Sequence, residues 1–173
     1  MQKVFEMLLD LKGFFTNDAE KKEKRFSFSF SMADVEIDGN VPFVSPIEAS
    51  GSALSENGAV RIKATVSYDF KAQCNRCLSE IFERKTERYE HLLLLSEEDA
   101  PDDTYIRVTG EAIELSELLR EDIILNLPTV LLCREDCKGL CPKCGKNLND
   151  GPCGCEEDSV DPRLEILKTL IHQ

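Results

Sequence analysis

Four close pairs of cysteines, Cys74/Cys77, Cys133/Cys137, Cys141/Cys144 and Cys153/Cys155, account for all 8 cysteines of this chain. A tetrahedral zinc ion takes four sulfur or nitrogen ligands, and chains supply them as short-spaced pairs from tight turns whose backbone N–H groups point at the thiolates. Cys141-Pro142-Lys143-Cys144-Gly145 has the shape of such a knuckle, with proline favouring entry into the turn and Gly145 accepting a positive φ as the chain folds back. The competing use of paired cysteines, a disulfide framework, belongs to secreted domains. No charged stretch followed by an apolar one and a small-residue cleavage site opens the chain, since Met7-Leu8-Leu9 is cut short by Asp10 and Lys12. The expected setting is therefore cytoplasmic and reducing, and the expected occupant of the cysteines is zinc.

The pairs divide most simply into two sites. A short loop rich in turn formers, residues 145–152, separates Cys141/Cys144 from Cys153/Cys155, so closing it costs little entropy. Cys133/Cys137 is left to meet Cys74/Cys77, which staples distant parts of the chain together through one ion. Two ions then use every thiol; a single site built from Cys137, Cys141, Cys144 and Cys155 is the alternative and leaves the other four cysteines free.

Periodicity indicates an α+β fold, a mainly antiparallel β domain with a covering helix, followed by a small zinc-binding module and a terminal helix. Phe26 to Met32 alternates apolar and polar with period two. Further strands are expected over Pro46 to Leu54, Ala59 to Gln73, Leu78 to about Leu95 and Tyr105 to Val108, with Asn57-Gly58 as a hairpin turn. Cys74/Cys77 then sits at a hairpin tip. Val35 to Ile37 reads as a short strand before the turn at Asp38-Gly39-Asn40, and Val4 to Phe15 fits a strand or a short helix. Ser116 is the expected N-cap of a helix from Glu117 to about Asn126 that Pro128 ends, with Leu118, Leu119, Ile123, Leu125 and Leu127 covering the sheet. The β domain is expected over residues 1–128 and the cysteine-rich module over 129–173. That module has too little apolar sequence to fold without metal, and Asp161-Pro162 opens its closing helix. Residues 97–103 form an acidic loop. The longest apolar run, Leu92 to Leu95, is far short of the roughly 20 residues that span a bilayer, so no membrane is expected.

Charge narrows the partners. With 21 Lys+Arg against 33 Asp+Glu the chain carries a formal −12, which repels phosphate backbones at long range and attracts basic proteins. Two basic clusters stand against that field, Lys21, Lys22, Lys24 and Arg25, and Arg84, Lys85 and Arg88; charge runs of this kind usually face water, and a nucleic-acid contact is their weaker reading. Catalysis has little support. His91 and His172 are the only histidines, the deaminase pairing of His-x-Glu with Pro-Cys-x-x-Cys is absent, and no phosphate-binding or nucleophile-elbow glycine motif occurs. A redox role for Cys74-Asn75-Arg76-Cys77 would want a helix N-terminus in a βαβ unit, whereas its flanks read as hairpin strands.

Cys74-Asn75-Arg76-Cys77-Leu78, the run Glu121 to Pro128, the block from Cys133 through Cys137 to Asn149, and Asp161-Pro162-Arg163 before an apolar helix resemble, in order, the YceD-like family of large ribosomal RNA subunit accumulation proteins. The resemblance implies a non-enzymatic ribosome biogenesis factor for synthesis, processing or stability of large-subunit ribosomal RNA. It also implies a small basic large-subunit ribosomal protein as candidate partner, because genes of the family commonly lie beside one; ribosomal RNA or a pre-ribosomal particle is a further candidate. An acidic surface suits shielding such a protein. A zinc-dependent RNA-binding module, and zinc delivery to zinc-binding ribosomal proteins, are the alternatives.

Overall fold

In the longest alternating stretch, Val60, Ile62, Ala64, Val66, Tyr68 and Phe70 all point one way and are all buried, which makes this strand the spine of the fold. A computed structural model of the chain describes residues 7–15, 22–37, 39–95 and 105–155. The expected acidic loop, the closing helix and Lys21 lie outside the described residues. Among the described residues the strands are, in chain order, β1 (Leu8–Asp10), β2 (Glu23–Phe30), β3 (Ile47–Glu56), β4 (Ala59–Gln73), β5 (Glu80–Leu95), β6 (Tyr105–Val108) and β7 (Ala112–Glu114), with one α-helix, α1 (Leu115–Leu125), and a 3-10 helix at Leu148–Asp150.

Strands β2 to β6 form a five-stranded sheet in sequence order. The pairings β2/β3, β3/β4 and β4/β5 are antiparallel, while β6 adds to β5 in parallel, with Leu92 opposite Tyr105 and Leu95 opposite Val108. The β3–β4 hairpin turns at Asn57 (φ 50°) and Gly58 (φ 82°), the double positive φ that matches the twist of the strands it joins. The stretch expected as a strand at Val35 to Ile37 reduces to one isolated bridge between Ile37 and Asn40.

The chain's first described segment is a strand. β1 pairs antiparallel with β7, Leu9 opposite Ile113, forming a second, two-stranded sheet from residues about a hundred positions apart. That pairing overturns the expected helix start. β7 runs directly into α1, so Glu114 rather than Ser116 is the N-cap, its carboxylate accepting from the Ser116 N–H. The Ser116 hydroxyl instead accepts from the Met7 N–H at 3.1 Å, tying β1 to the helix. The buried stripe is Leu115, Leu119 and Ile123, spaced by four, while Leu125, expected in the core, is 82% exposed. The stripe joins the cluster made by the inner faces of β2–β4, Leu93 of β5 and Val108 of β6, with Leu9, Leu11, Phe14 and Phe15.

The inner face of β5 is more polar than that of β4. Tyr68 and Tyr89 both donate their hydroxyls to Glu87, and burial first, then that carboxylate, pushes both phenols up. His91 Nε2 lies 2.7 Å from Asp122 Oδ2, joining β5 to α1. No helix among the described residues is long and apolar enough to cross a membrane.

Candidate metal centres

At the tip of the β4–β5 hairpin, Cys74-Asn75-Arg76-Cys77 turns back on itself through a hydrogen bond from Leu78 N–H to the Cys74 carbonyl, 2.9 Å. Residues 141–145 repeat the turn, with Gly145 N–H donating to the Cys141 carbonyl at 2.8 Å. Gly145 (φ 72°) and Leu78 (φ 58°) occupy equivalent places, so Leu78 adopts a left-handed conformation that ordinarily falls to glycine. The turn, rather than packing, dictates this, because Leu78 is 59% exposed.

The eight cysteines gather into two sets, Cys74, Cys77, Cys133 and Cys137, and Cys141, Cys144, Cys153 and Cys155, with the sulfurs of each set within 4.8 Å of one another. The expected division into two fours is the one the fold produces. The one-site combination is not gathered, because Cys137 stands with the first set while Cys141, Cys144 and Cys155 stand with the second.

In the first set Cys74 Sγ is 3.7 Å from Cys137 Sγ, and Cys77 Sγ is 3.6 Å from Cys133 Sγ. A disulfide needs about 2.05 Å. A tetrahedron of sulfurs about 2.3 Å from a central zinc has edges of about 3.8 Å. The donor atoms are therefore spaced as ligands of one ion rather than as bonded partners, and the residues fit the metal.

Protonation agrees with this crowding. Burial opposes ionisation of Cys74, but the backbone N–H groups of Cys133, Cys77 and Arg76 hold its thiol down to about 6. Cys133, in the same cluster, is pushed up to about 12 by burial and by its sulfur neighbours. The second set repeats the split. Backbone N–H groups of Cys144 and Lys143 bring Cys141 down to about 6, while Cys144 and Cys153 push Cys155 up to about 12. Four adjacent thiols cannot all ionise without a cation among them, and a divalent cation removes that obstacle.

The two sets differ in burial. Cys74, Cys77 and Cys137 are buried, whereas of the second set only Cys141 is. The first lies where the cysteine-rich segment is stitched to the hairpin tip. Asn75 N–H donates to the Leu131 carbonyl at 2.8 Å, Leu140 N–H to the Arg76 carbonyl at 3.2 Å, and Arg76 Nη1 to the Cys137 carbonyl at 3.0 Å. Gly139 permits this approach, since a Cβ there would stand 3.1 Å from the Arg76 carbonyl oxygen. Asn149, in the 3-10 helix between the two halves of the second set, donates to Cys137 Sγ at 3.3 Å and so couples the sets.

The basic clusters disperse. Lys22 Nζ donates to the Gly13 carbonyl and Lys24 Nζ to the Asp10 carbonyl. Arg84 is clamped between Glu48 and Asp69, and Lys85 lies over the Phe70 ring and beside Glu83. Arg25, paired with Glu23, and Arg88 line one depression on the outer face of the sheet together with Lys63, which pairs with Glu90. In sequence Lys63 shows only as a residue on the polar face of β4; register across three strands is what brings it there.

The family model for large ribosomal RNA subunit accumulation protein YceD matches residues 62–171. An uncharacterized protein of Mycobacterium tuberculosis is 34% identical over 121 residues, covering 68% of this chain and 58% of the relative. The chain thus spans less than two thirds of that relative's length. The uncharacterized protein YlbN of Bacillus subtilis is 29% identical over 141 residues, 79% of this chain and 81% of its own. A chloroplastic protein of Arabidopsis thaliana, named large ribosomal RNA subunit accumulation protein YCED homolog 1, is 34% identical over 61 residues, 35% of this chain and 19% of its own. No solved structure matches. The match covers the β4–β5 hairpin from Ile62 onward and all eight cysteines, and the chain belongs to the YceD family of large ribosomal RNA subunit accumulation proteins.

Proposed function

We propose that this chain is a non-enzymatic, cytoplasmic ribosome biogenesis factor that supports accumulation of large-subunit ribosomal RNA, and that it does so by binding a small basic protein of the large subunit through its acidic surface. The observation that carries the reading is the pair of four-thiol clusters. Each supplies a complete tetrahedral ligand set, so zinc held there has no open position for substrate and acts as structure. Its chemistry is to bind four thiolates, while this chain's own residues do the shaping: Asn75, Arg76 and Asn147 fasten the cysteine-rich segment to the hairpin tip, and Asn149 couples the two sets.

What is left to act is surface. The described part of that segment mixes exposed Glu135, Asp136 and Asp150 with exposed Arg134, Lys138, Lys143 and Lys146, so the negative excess is that of the chain as a whole, a formal −12. Such a surface attracts a cationic partner with an affinity that falls as salt rises. Delivery of zinc to ribosomal proteins fits less well, because three of the four thiols in the first set are buried.

The test is affinity purification of the tagged chain from lysate at low and high salt. A basic large-subunit ribosomal protein should co-purify at low salt and be lost at high salt, and depletion of the chain should lower large-subunit ribosomal RNA relative to small-subunit. Recovery of ribosomal RNA after protein digestion, with no ribosomal protein, would refute the partner assignment.

A further inference from the structure

The negative charge of the chain is unevenly spread. Outward-facing positions of β2 to β5 form cross-strand rows, Arg25–Ser52–Lys63–Glu90 and Ser27–Ser50–Thr65–Arg88, followed by Ser29–Glu48–Ser67–Thr86. The floor is short hydroxyl side chains, and two adjoining depressions of about 650 Å³ and 480 Å³ open over it. Around the larger one Arg25 pairs with Glu23 at 3.2 Å and Lys63 with Glu90 at 3.7 Å, and Arg88 is the third cation of the lining. In a chain with 33 acidic and 21 basic residues this lining holds one positive charge in excess. Arg88 is exposed and makes no ion pair with the described residues, so its charge is available.

A second observation lies on the same face. Phe82, on β5 opposite Lys71, is 65% exposed. From Arg88 to Phe82 is six residues along one strand, about 20 Å at strand rise. Hydroxyls and guanidinium groups hydrogen-bond phosphate and ribose, and an exposed ring stacks on a base; a groove combining cations with aromatic platforms is how sheets hold single strands without reading sequence.

We infer that the outer face of the sheet, from the hydroxyl-floored depression at Arg25, Lys63 and Arg88 to the exposed ring of Phe82, binds the sugar-phosphate backbone and one base of a single-stranded RNA segment. The inference rests on the assembly-factor reading only in naming ribosomal RNA as the source of that strand. It places RNA on the sheet and the basic protein on the acidic surface, so one chain can hold both.

The experiment is fluorescence anisotropy of a labelled 12-nucleotide single-stranded RNA with the full chain and its metals, between 50 and 200 mM salt. The double variant R25E/R88E should bind at least tenfold more weakly and show a shallower salt dependence, by about 0.7 in log–log slope for each phosphate no longer neutralised. F82A should weaken binding about tenfold with the salt slope unchanged. K12E, at an exposed site outside the cross-strand rows named above, should bind as the parent does. Circular dichroism and metal content establish that each variant is folded. Equal RNA affinity of R25E/R88E and the parent, or no binding by the parent, overturns the inference and leaves the ribosomal-protein reading to its own purification test. Loss of ribosomal-protein capture by R25E/R88E with RNA binding intact also overturns it, by making the face a protein site.

Discussion

Replacing Gly51 with alanine tests how tightly β3 is laid against β4. A Cβ at Gly51 would stand 2.0 Å from the Lys63 carbonyl oxygen and 3.0 Å from Ala64 Cα, both backbone atoms of β4, and 2.7 Å from Phe26 Cζ. Relieving the first clash requires β3 to withdraw by about 1 Å, enough to take ladder hydrogen bonds out of their usual range of about 2.7–3.2 Å. Two or three such bonds at about 1 kcal/mol each, with about 1 kcal/mol for displacing the Phe26 ring, oppose a gain of about 0.4–1 kcal/mol from stiffening the unfolded chain. The net expectation is a loss of about 3 kcal/mol, which at a slope near 2 kcal/mol/M lowers the urea midpoint by about 1.5 M. Equilibrium unfolding by far-UV circular dichroism measures it, with S52A, the next residue on the outer face, as a control within about 0.5 kcal/mol. A G51A variant within about 0.5 kcal/mol of the parent refutes the close approach. If F26L restores G51A to parental stability, the ring and not the backbone is the obstacle, and the reasoning fails in that part.

Native mass spectrometry should find two metal ions per chain; C77S should remove one and destabilise the chain more than C144S, because Cys77 belongs to the buried set that fastens residues 131–149 to the hairpin tip, and equal losses would contradict that asymmetry. At Leu78, glycine should be more stable than alanine by about 1 kcal/mol in thermal or urea unfolding, since both lose the half-exposed side chain but only glycine relieves the left-handed φ. The Arg120 guanidinium hydrogen-bonds both carboxylate oxygens of Asp34 and holds its pKa below the usual carboxylate value of 3.8. The contribution of that exposed pair, under about 1 kcal/mol, should therefore be present above that value and vanish as pH falls through the lowered pKa. R120Q should be less stable than the parent at neutral pH and equal to it in acid, as read from unfolding midpoints across pH.

Local pattern is enough for the longest elements. The alternation from Val60 to Phe70 places β4 over Ala59–Gln73, and Asn57-Gly58 marks its hairpin, because side-chain period and positive φ are properties of neighbouring residues. Spacing within the cysteine pairs likewise points to knuckles, and counting thiols points to two sets. Other features depend on partners far along the chain. Ser116 has the chemistry of an N-cap, yet the pairing of β7 with β1 holds the chain extended to Glu114 and moves the helix start. Leu125 has the hydropathy of a core residue, but the helix meets the sheet through Leu115, Leu119 and Ile123 and leaves it in water. Leu78 shows no sign in sequence of a left-handed backbone, which only the closing turn around Cys74 imposes.

Residue type and close spacing suffice to make this chain build a long-stranded sheet, present its cysteines in short pairs and carry excess negative charge. Which sulfurs face each other, Cys74 with Cys137 and Cys77 with Cys133, is a product of the folded chain, as is the depression that Arg25 and Arg88 share. Net charge is a sum over residues, but the field that a partner meets depends on which side chains share a face, and strand register makes that assignment.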